Sequence, residues 1–255
     1  MICPHCEFEQ PDDNRECPKC GIVFEKYFAL QKPLPIKGLR VKPLEPLAGK
    51  EEEKDAATMR GCGKKLFLFV NPRINPLYFG GRVVVFLIIF IWGLKFIFSP
   101  LESNYTAQSF MHLVNLPFHE AGHIIFSPFG RFIMMVGGTL GQLFMPLTCF
   151  FVLLLKTRDT FGAAVSMWWF GENFMDIAPY INDARALKLM LLGGVTGHDV
   201  IGYHDWEFIL RKLGWLQYDH TLAHISYTIG ILLMLITFVW AGHLLFKQFK
   251  NLDLR

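Results

Sequence analysis

The sequence predicts a mainly α, polytopic helical membrane protein with a small cysteine-bearing module at its N-terminus. Three observations carry that fold class. The 255-residue chain is 52% hydrophobic and only 18% charged, with 25 Phe and a mean hydropathy of +0.32. Soluble domains are nearer a quarter charged. Five apolar segments follow one another from residue 83 onwards, and four of the six cysteines fall in the first twenty residues. The net charge of +3 is too small to argue for a nucleic-acid partner, and none is expected.

The chain divides into residues 1–28, a linker over 29–65, and a multi-span domain over 66–255. In the first part, Cys3-x2-Cys6, ten residues, then Cys17-x2-Cys20 form two knuckles, each with Pro after its first Cys. A C-x-x-C turn lets two sulfurs converge on one ion, and tetrahedral zinc takes four thiolates. No basic region followed by an apolar run opens the chain, so no cleaved signal is expected. A reducing compartment, with thiolates free for metal rather than paired in disulfides, fits that reading. The stretch resembles a short, rubredoxin-like zinc ribbon, which implies a β-rich module with one structural zinc and a surface for a protein partner.

Residues 31–65 read as a tether, with Pro33, Pro35, Pro43 and Pro46 followed by KEEEKD and GCGKK. Such a composition buries too little apolar area to order itself. Beyond it the apolar segments are 83–98, 109–129, 132–155, 160–181 and 223–246. The third runs 24 residues without a charge and contains Gly137-x-x-x-Gly141, a spacing that allows close helix contact. Between the last two, Trp206, Ile209, Leu210 and Leu213 suggest a short interfacial helix. Arg60, Lys64, Lys65, Arg73 and Arg82 precede the first span, which places the N-terminus in the cytoplasm. The basic tail FKQFKNLDLR asks for an even number of spans, against the five counted.

The second apolar segment holds LPFHEAGHIIFSPFG, residues 116–130. His119 and His123 are four apart, so on a helix they share a face and can point at one ion. Glu120 beside them is placed to take a proton from a water. This is the H-E-x-x-H pattern of zinc hydrolases. Ionisable groups inside an apolar span are costly and mark function by default, and a metal supplies the partner they lack. Pro117 is expected to interrupt the helix, so that the motif begins a new segment. His112 and Asn115 share the face of His119, as hydrogen-bond partners of the site or as boundary residues. A third ligand is expected from GENFMDIAPYINDAR, which offers Glu172, Asp176 and Asp183.

An H-E-x-x-H in one helix, with an Asn…Pro…Asp stretch in a later one, resembles the site-2 protease family of intramembrane zinc metalloproteases. The resemblance implies His119 and His123 as zinc ligands, Glu120 as general base and Asp183 as third ligand. Asn173 and Pro179 stand for the family's Asn and Pro, with Asn173 beside the site. The family reads Asn-x-x-Pro and then Leu-Asp-Gly, whereas Asn173 and Pro179 are six apart and Asp183 precedes Ala184. Asp176 is therefore the alternative third ligand, and Glu172 a further one.

The expected function is hydrolysis of peptide bonds in membrane proteins or peptides within the lipid bilayer, with one catalytic and one structural zinc. Two alternatives stand beside it. One is a membrane-anchored zinc-ribbon scaffold or regulator without catalysis. The other is a membrane di-iron oxidase using His119, His123, His198, His204, His220 and His224, against which the chain lacks the H-x-x-H-H boxes of such enzymes. The repeated His-Asp pairs at 198–199 and 204–205 admit three readings: loop and cap residues, a cap over the site, or a second metal site.

Overall fold

A computed structural model describes residues 1–31, 63 and 66–253, in two compact units, Met1–Glu53 and Lys54–Arg255. Most of the linker expected over 29–65, with Arg60, Lys64 and Lys65, lies outside the described residues.

In the N-terminal unit the second knuckle repeats the first fourteen residues on. Cys3 N donates to Phe8 O as Cys17 N does to Ile22 O, and Glu7 N donates to Cys3 O as Gly21 N does to Cys17 O. Isolated antiparallel bridges close each turn, Ile2 with Glu9 and Glu16 with Val23. Glu7 and Gly21 both take the left-handed conformation, with φ of 57° and 70°, because a knuckle must reverse the chain to bring its sulfurs together. The expectation of a β-rich module is met only by these bridges: the described residues contain no β-strand. Helix α1, Phe24–Gln31, follows the second knuckle and packs Phe24 against Cys3 and Cys17.

The second unit is helical. Helix α2, Pro76–Phe98, starts where Asn75 Oδ1 accepts from the Leu77 and Tyr78 amides, with Pro76 at the first position. Helix α3 is Phe110–Phe126, and α4 is Arg131–Phe151, prolonged by a π-turn over Val152–Lys156. Helix α5, Thr160–Asn182, is capped by Asp159, and α6, Asp205–Leu213, is capped by the His204 imidazole. Helix α7, Asp219–Lys250, closes the bundle. Contrary to the expectation at Pro117, α3 runs through it unbroken. Proline frees one carbonyl of the preceding turn, here that of Leu113, a residue on the exposed side of the helix.

Glycines set the two closest helix contacts. A Cβ on Gly230 of α7 would lie 2.3 Å from Met175 Cγ and 2.6 Å from Gly171 O of α5. A Cβ on Gly122 of α3 would lie 2.0 Å from Gly137 O, and one on Gly141 2.4 Å from Phe118 O. Gly137 and Gly141 of α4 thus let α3 approach backbone to backbone. Helix α5 is the buried centre, with Trp168, Met175, Ile177 and Ile181 in the main apolar cluster.

Among the described residues three helices are long and apolar enough to cross a membrane: Pro76–Phe98, Arg131–Lys156 and Leu216–Lys250. The segments expected over 109–129 and 160–181 also form helices, α3 and α5, which fall outside that description by length or composition. Helix α3 has 17 residues, about 26 Å at 1.5 Å each, against a hydrocarbon core of about 30 Å. Helix α5 has the length but carries Glu172, Asn173 and Asp176 buried among its neighbours. The two ends of this unit meet: Ile74 bridges to Leu252, and Asn251 Nδ2 donates to Asn71 O.

Candidate metal centre

Helix α3 presents His119 and His123 one turn apart, with ring centroids 4.9 Å from each other. Each ring is fixed through its Nδ1. His123 Nδ1 donates to Met134 O at 2.8 Å, since a carbonyl only accepts. His119 Nδ1 lies 3.1 Å from Gln142 Oε1, and Gln142 Nε2 donates to Asp176 Oδ2 at 2.9 Å. That second bond fixes which way the amide faces, so His119 Nδ1 also donates. With Nδ1 as the donor in each ring, it is Nε2 that faces the site and is free to ligate a metal.

Both Nε2 atoms meet a carboxylate. Asp205 Oδ2 lies 3.0 Å from His119 Nε2 and 3.1 Å from His123 Nε2. Three acceptor atoms within this distance repel unless a proton on each ring or a cation lies among them. Ligating imidazoles characteristically hold their other nitrogen to a carbonyl or carboxylate, which is the arrangement of both rings here. Asp205 is itself steadied from behind, its amide donating to Tyr180 Oη at 2.9 Å. Burial raises the Asp205 carboxyl, but His119 and His123 outweigh burial and hold it below the ordinary carboxylate range. Glu120 is half-buried, and its carboxylate lies within 4.8 Å of the ligand atoms of His119 and His123; the three together could hold a metal ion.

Backbone shape makes the convergence possible. A Cβ at Gly138 would lie 2.6 Å from Nε2 of both His119 and His123. The adjacent cavity of about 460 Å³ has Glu120, His119, His123 and Asp205 on one wall. Leu116, Met135, Ile177 and the run Leu189–Leu192 supply its apolar walls. Among the described residues no Lys or Arg lines it.

The other expected site residues are placed differently. Asp183 accepts from the Lys188 and Leu189 amides, both at 2.9 Å, and lies 3.6 Å from His204 Nε2. Burial raises its carboxyl, while His204 and those two amides more than compensate and lower it. It anchors the segment after α5. Asp176 accepts from His112 Nδ1, Asn115 Nδ2 and Gln142 Nε2, so it reaches His119 only through Gln142. Glu172 accepts from Asn115 Nδ2, with its other oxygen buried and unpartnered. Asn173 donates to Trp169 O within its own helix. His112 lies at the cavity through Asp176. Asp205, the carboxylate that meets the imidazoles, belongs to the second His-Asp pair; its signal was a His-Asp at the start of an amphipathic helix.

In the N-terminal unit, Cys3 Sγ lies 3.7 Å from Cys20 Sγ and Cys6 Sγ 3.7 Å from Cys17 Sγ. All four sulfurs fall within 4.8 Å of one another, none is in a disulfide, and the cluster could hold a metal ion. Burial raises the Cys3 thiol, but the amides of His5 and Cys6 bring it down to about 6. The Ile22 amide works in the same sense on Cys20, where burial and the other three thiols prevail and push it up to about 12. The cluster cannot carry four thiolates at neutral pH without a cation.

The chain matches no protein-family model, no curated protein and no solved structure, so the chemistry of both centres is argued from their own geometry.

Proposed function

We propose that this chain is a membrane-embedded zinc hydrolase that cleaves peptide bonds, with His119, His123 and Asp205 as ligands and Glu120 as general base. The carrying observation is the meeting of both Nε2 atoms with Asp205 Oδ2, at 3.0 and 3.1 Å, each imidazole tied down at its far nitrogen. The donor set of two imidazoles and a carboxylate suits zinc and leaves a fourth position open. Zinc bound there supplies a Lewis acid that lowers the pKa of a bound water to about 7.

The chain's own groups do the rest. Glu120 accepts the proton of the attacking water and returns it to the leaving amine. Gln142 and Met134 keep the imidazoles in the ligating tautomer, and Tyr180 keeps Asp205 turned towards them. The apolar walls receive side chains, and the lack of a cationic lining residue leaves a C-terminal carboxylate without a partner. We take an internal peptide bond as the substrate, a reading that the apolar walls support. The resemblance to site-2 proteases supports this reading through its first motif; the ligand it implied at Asp183 is assigned here to Asp205.

The N-terminal cysteines hold a second, structural zinc. Four sulfurs about 2.3 Å from a tetrahedral zinc lie about 3.8 Å apart, and the two measured pairs are at 3.7 Å. For the membrane arrangement, α2, α4, α5 and α7 each cross, while α3 is too short to do so. Four crossings return the chain to its starting side, a reading that the Ile74–Leu252 bridge supports. The basic residues before α2 put that side in the cytoplasm.

The test is the purified full chain in detergent or nanodiscs, wild type beside Glu120→Gln, with zinc counted and cleavage of a membrane peptide followed. Retained zinc with cleavage reduced by at least about a hundredfold is expected. Equal cleavage by both proteins would remove Glu120 and the hydrolase with it.

A further inference from the structure

We propose that the segment 187–203 is seated in the lipid bilayer, its Met190, Leu192, Val200 and Ile201 side chains entering the boundary between headgroups and acyl chains. It joins α5 to α6 and walls the cavity with Leu189–Leu192, Gly202 and Tyr203. Its inner side is well anchored: Asp183 takes the Lys188 and Leu189 amides, and Tyr203 Oη donates to Leu192 O. Its exposed side chains include Lys188, His198 and Asp199 beside large aliphatic groups, of which Met190 and Leu192 also edge the cavity. Ile201 is 95% exposed, Met190 70%, and Leu192 and Val200 also stand out. A loop facing water does not present its largest aliphatic groups together in this way.

The level of the segment is given by what holds its two ends. Arg131, the first residue of one candidate span, donates to Gly202 O and lies over the Phe208 ring. Arg185, just before the segment, pairs with Asp219 near the start of another. Both ends are therefore tied to the first turns of candidate spans, which we take as the level of one bilayer boundary. Trp215 and Tyr218 are half-exposed at the same level, as aromatic side chains are at membrane interfaces. The polar turn Thr196–Asp199 closes on itself, Asp199 accepting from Thr196 N and Oγ1 at 2.7 Å each. The bilayer is the one occupant that covers the aliphatics and is already present at that height. This inference rests on reading the three long helices as spans and is independent of hydrolysis.

The test places the photoreactive residue p-benzoylphenylalanine at 201, and separately at 190, in the full chain in phospholipid nanodiscs. Position 239, exposed in the middle of α7, is the lipid-facing control, and position 13, exposed in the N-terminal unit, the water-facing one. After irradiation, intact mass should show a phospholipid adduct at 201 and 190 to an extent comparable with 239, and none at 13. Adducts at 239 without adducts at 201 and 190 would overturn the proposal. So would a product at 201 with the mass of a second protein chain. No adduct at 239 either would remove the spans and the seated segment together.

Discussion

Gly138 and His119 touch across two helices: a Cβ on Gly138 would stand 2.6 Å from His119 Nε2 and equally close to His123 Nε2. Gly138→Ala should therefore push both rings aside and empty the centre while leaving the N-terminal cysteines loaded. Metal content should fall by one ion per chain. Retention of both ions with unchanged affinity would mean that the rings do not converge beside Gly138.

The helix contact behind the centre makes a different prediction. Gly122→Ala places a methyl group against the Gly137 backbone, which has no flexible end to give way. Overpacking of this kind costs about 1–3 kcal/mol. A lowered thermal midpoint is expected whether or not metal is present, whereas Gly138→Ala should act mainly through metal binding. Thermal unfolding of the two variants with and without chelator separates them.

Gln142 joins His119 to Asp176, so its loss should weaken rather than abolish binding. Gln142→Leu removes the acceptor for His119 Nδ1 and one of three donors to Asp176. Outer partners of metal ligands are worth about 10–100-fold in affinity. Competition with a chelator of known affinity should return a loss in that range. No change would make the amide a packing residue.

The cysteine cluster should show a pH dependence of definite sign. Cys20, pushed up to about 12, is protonated at pH 7 in the metal-free unit, and Cys6 is raised as well: the Phe8 amide lowers it, but burial and Cys3 and Cys17 outweigh that. Metal binds thiolate, so these protons must leave, and affinity must fall as pH falls. Cys3, lowered to about 6, adds to the loss once pH drops through that value. Calorimetry of metal binding in buffers of different ionisation enthalpy should report net proton release at pH 7, the protons of Cys6 and Cys20 among those released. Release of none would contradict the ordering of these thiols.

Local patterns were the legible part of this chain. His119, Glu120 and His123 are neighbours on one helical turn, and each C-x-x-C is one tight turn, so a few residues of sequence define both centres. Gly137-x-x-x-Gly141 announced a close helix contact for the same reason. Asp205 was not legible as a ligand because it follows His119 by 86 positions. It is delivered by the path of the segment after α5 and by the capping of α6 at His204, which no short pattern encodes. Asp176 and Glu172 were candidates as acids in an apolar span; Asp176 is instead partnered by Asn115, His112 and Gln142, and Glu172 by Asn115 alone. Gly138 could not be singled out, since its role exists only when α3 and α4 are packed. The span count went astray where apolar composition alone stood for crossing, at the 17 residues of α3.

The central claim is that Asp205 completes a metal centre with His119 and His123. Metal content of Asp205→Ala, measured by plasma mass spectrometry beside Asp183→Ala and the wild type, tests it most directly. The account predicts two ions per chain in the wild type and in Asp183→Ala, and one in Asp205→Ala. Two ions in Asp205→Ala and one in Asp183→Ala would contradict it.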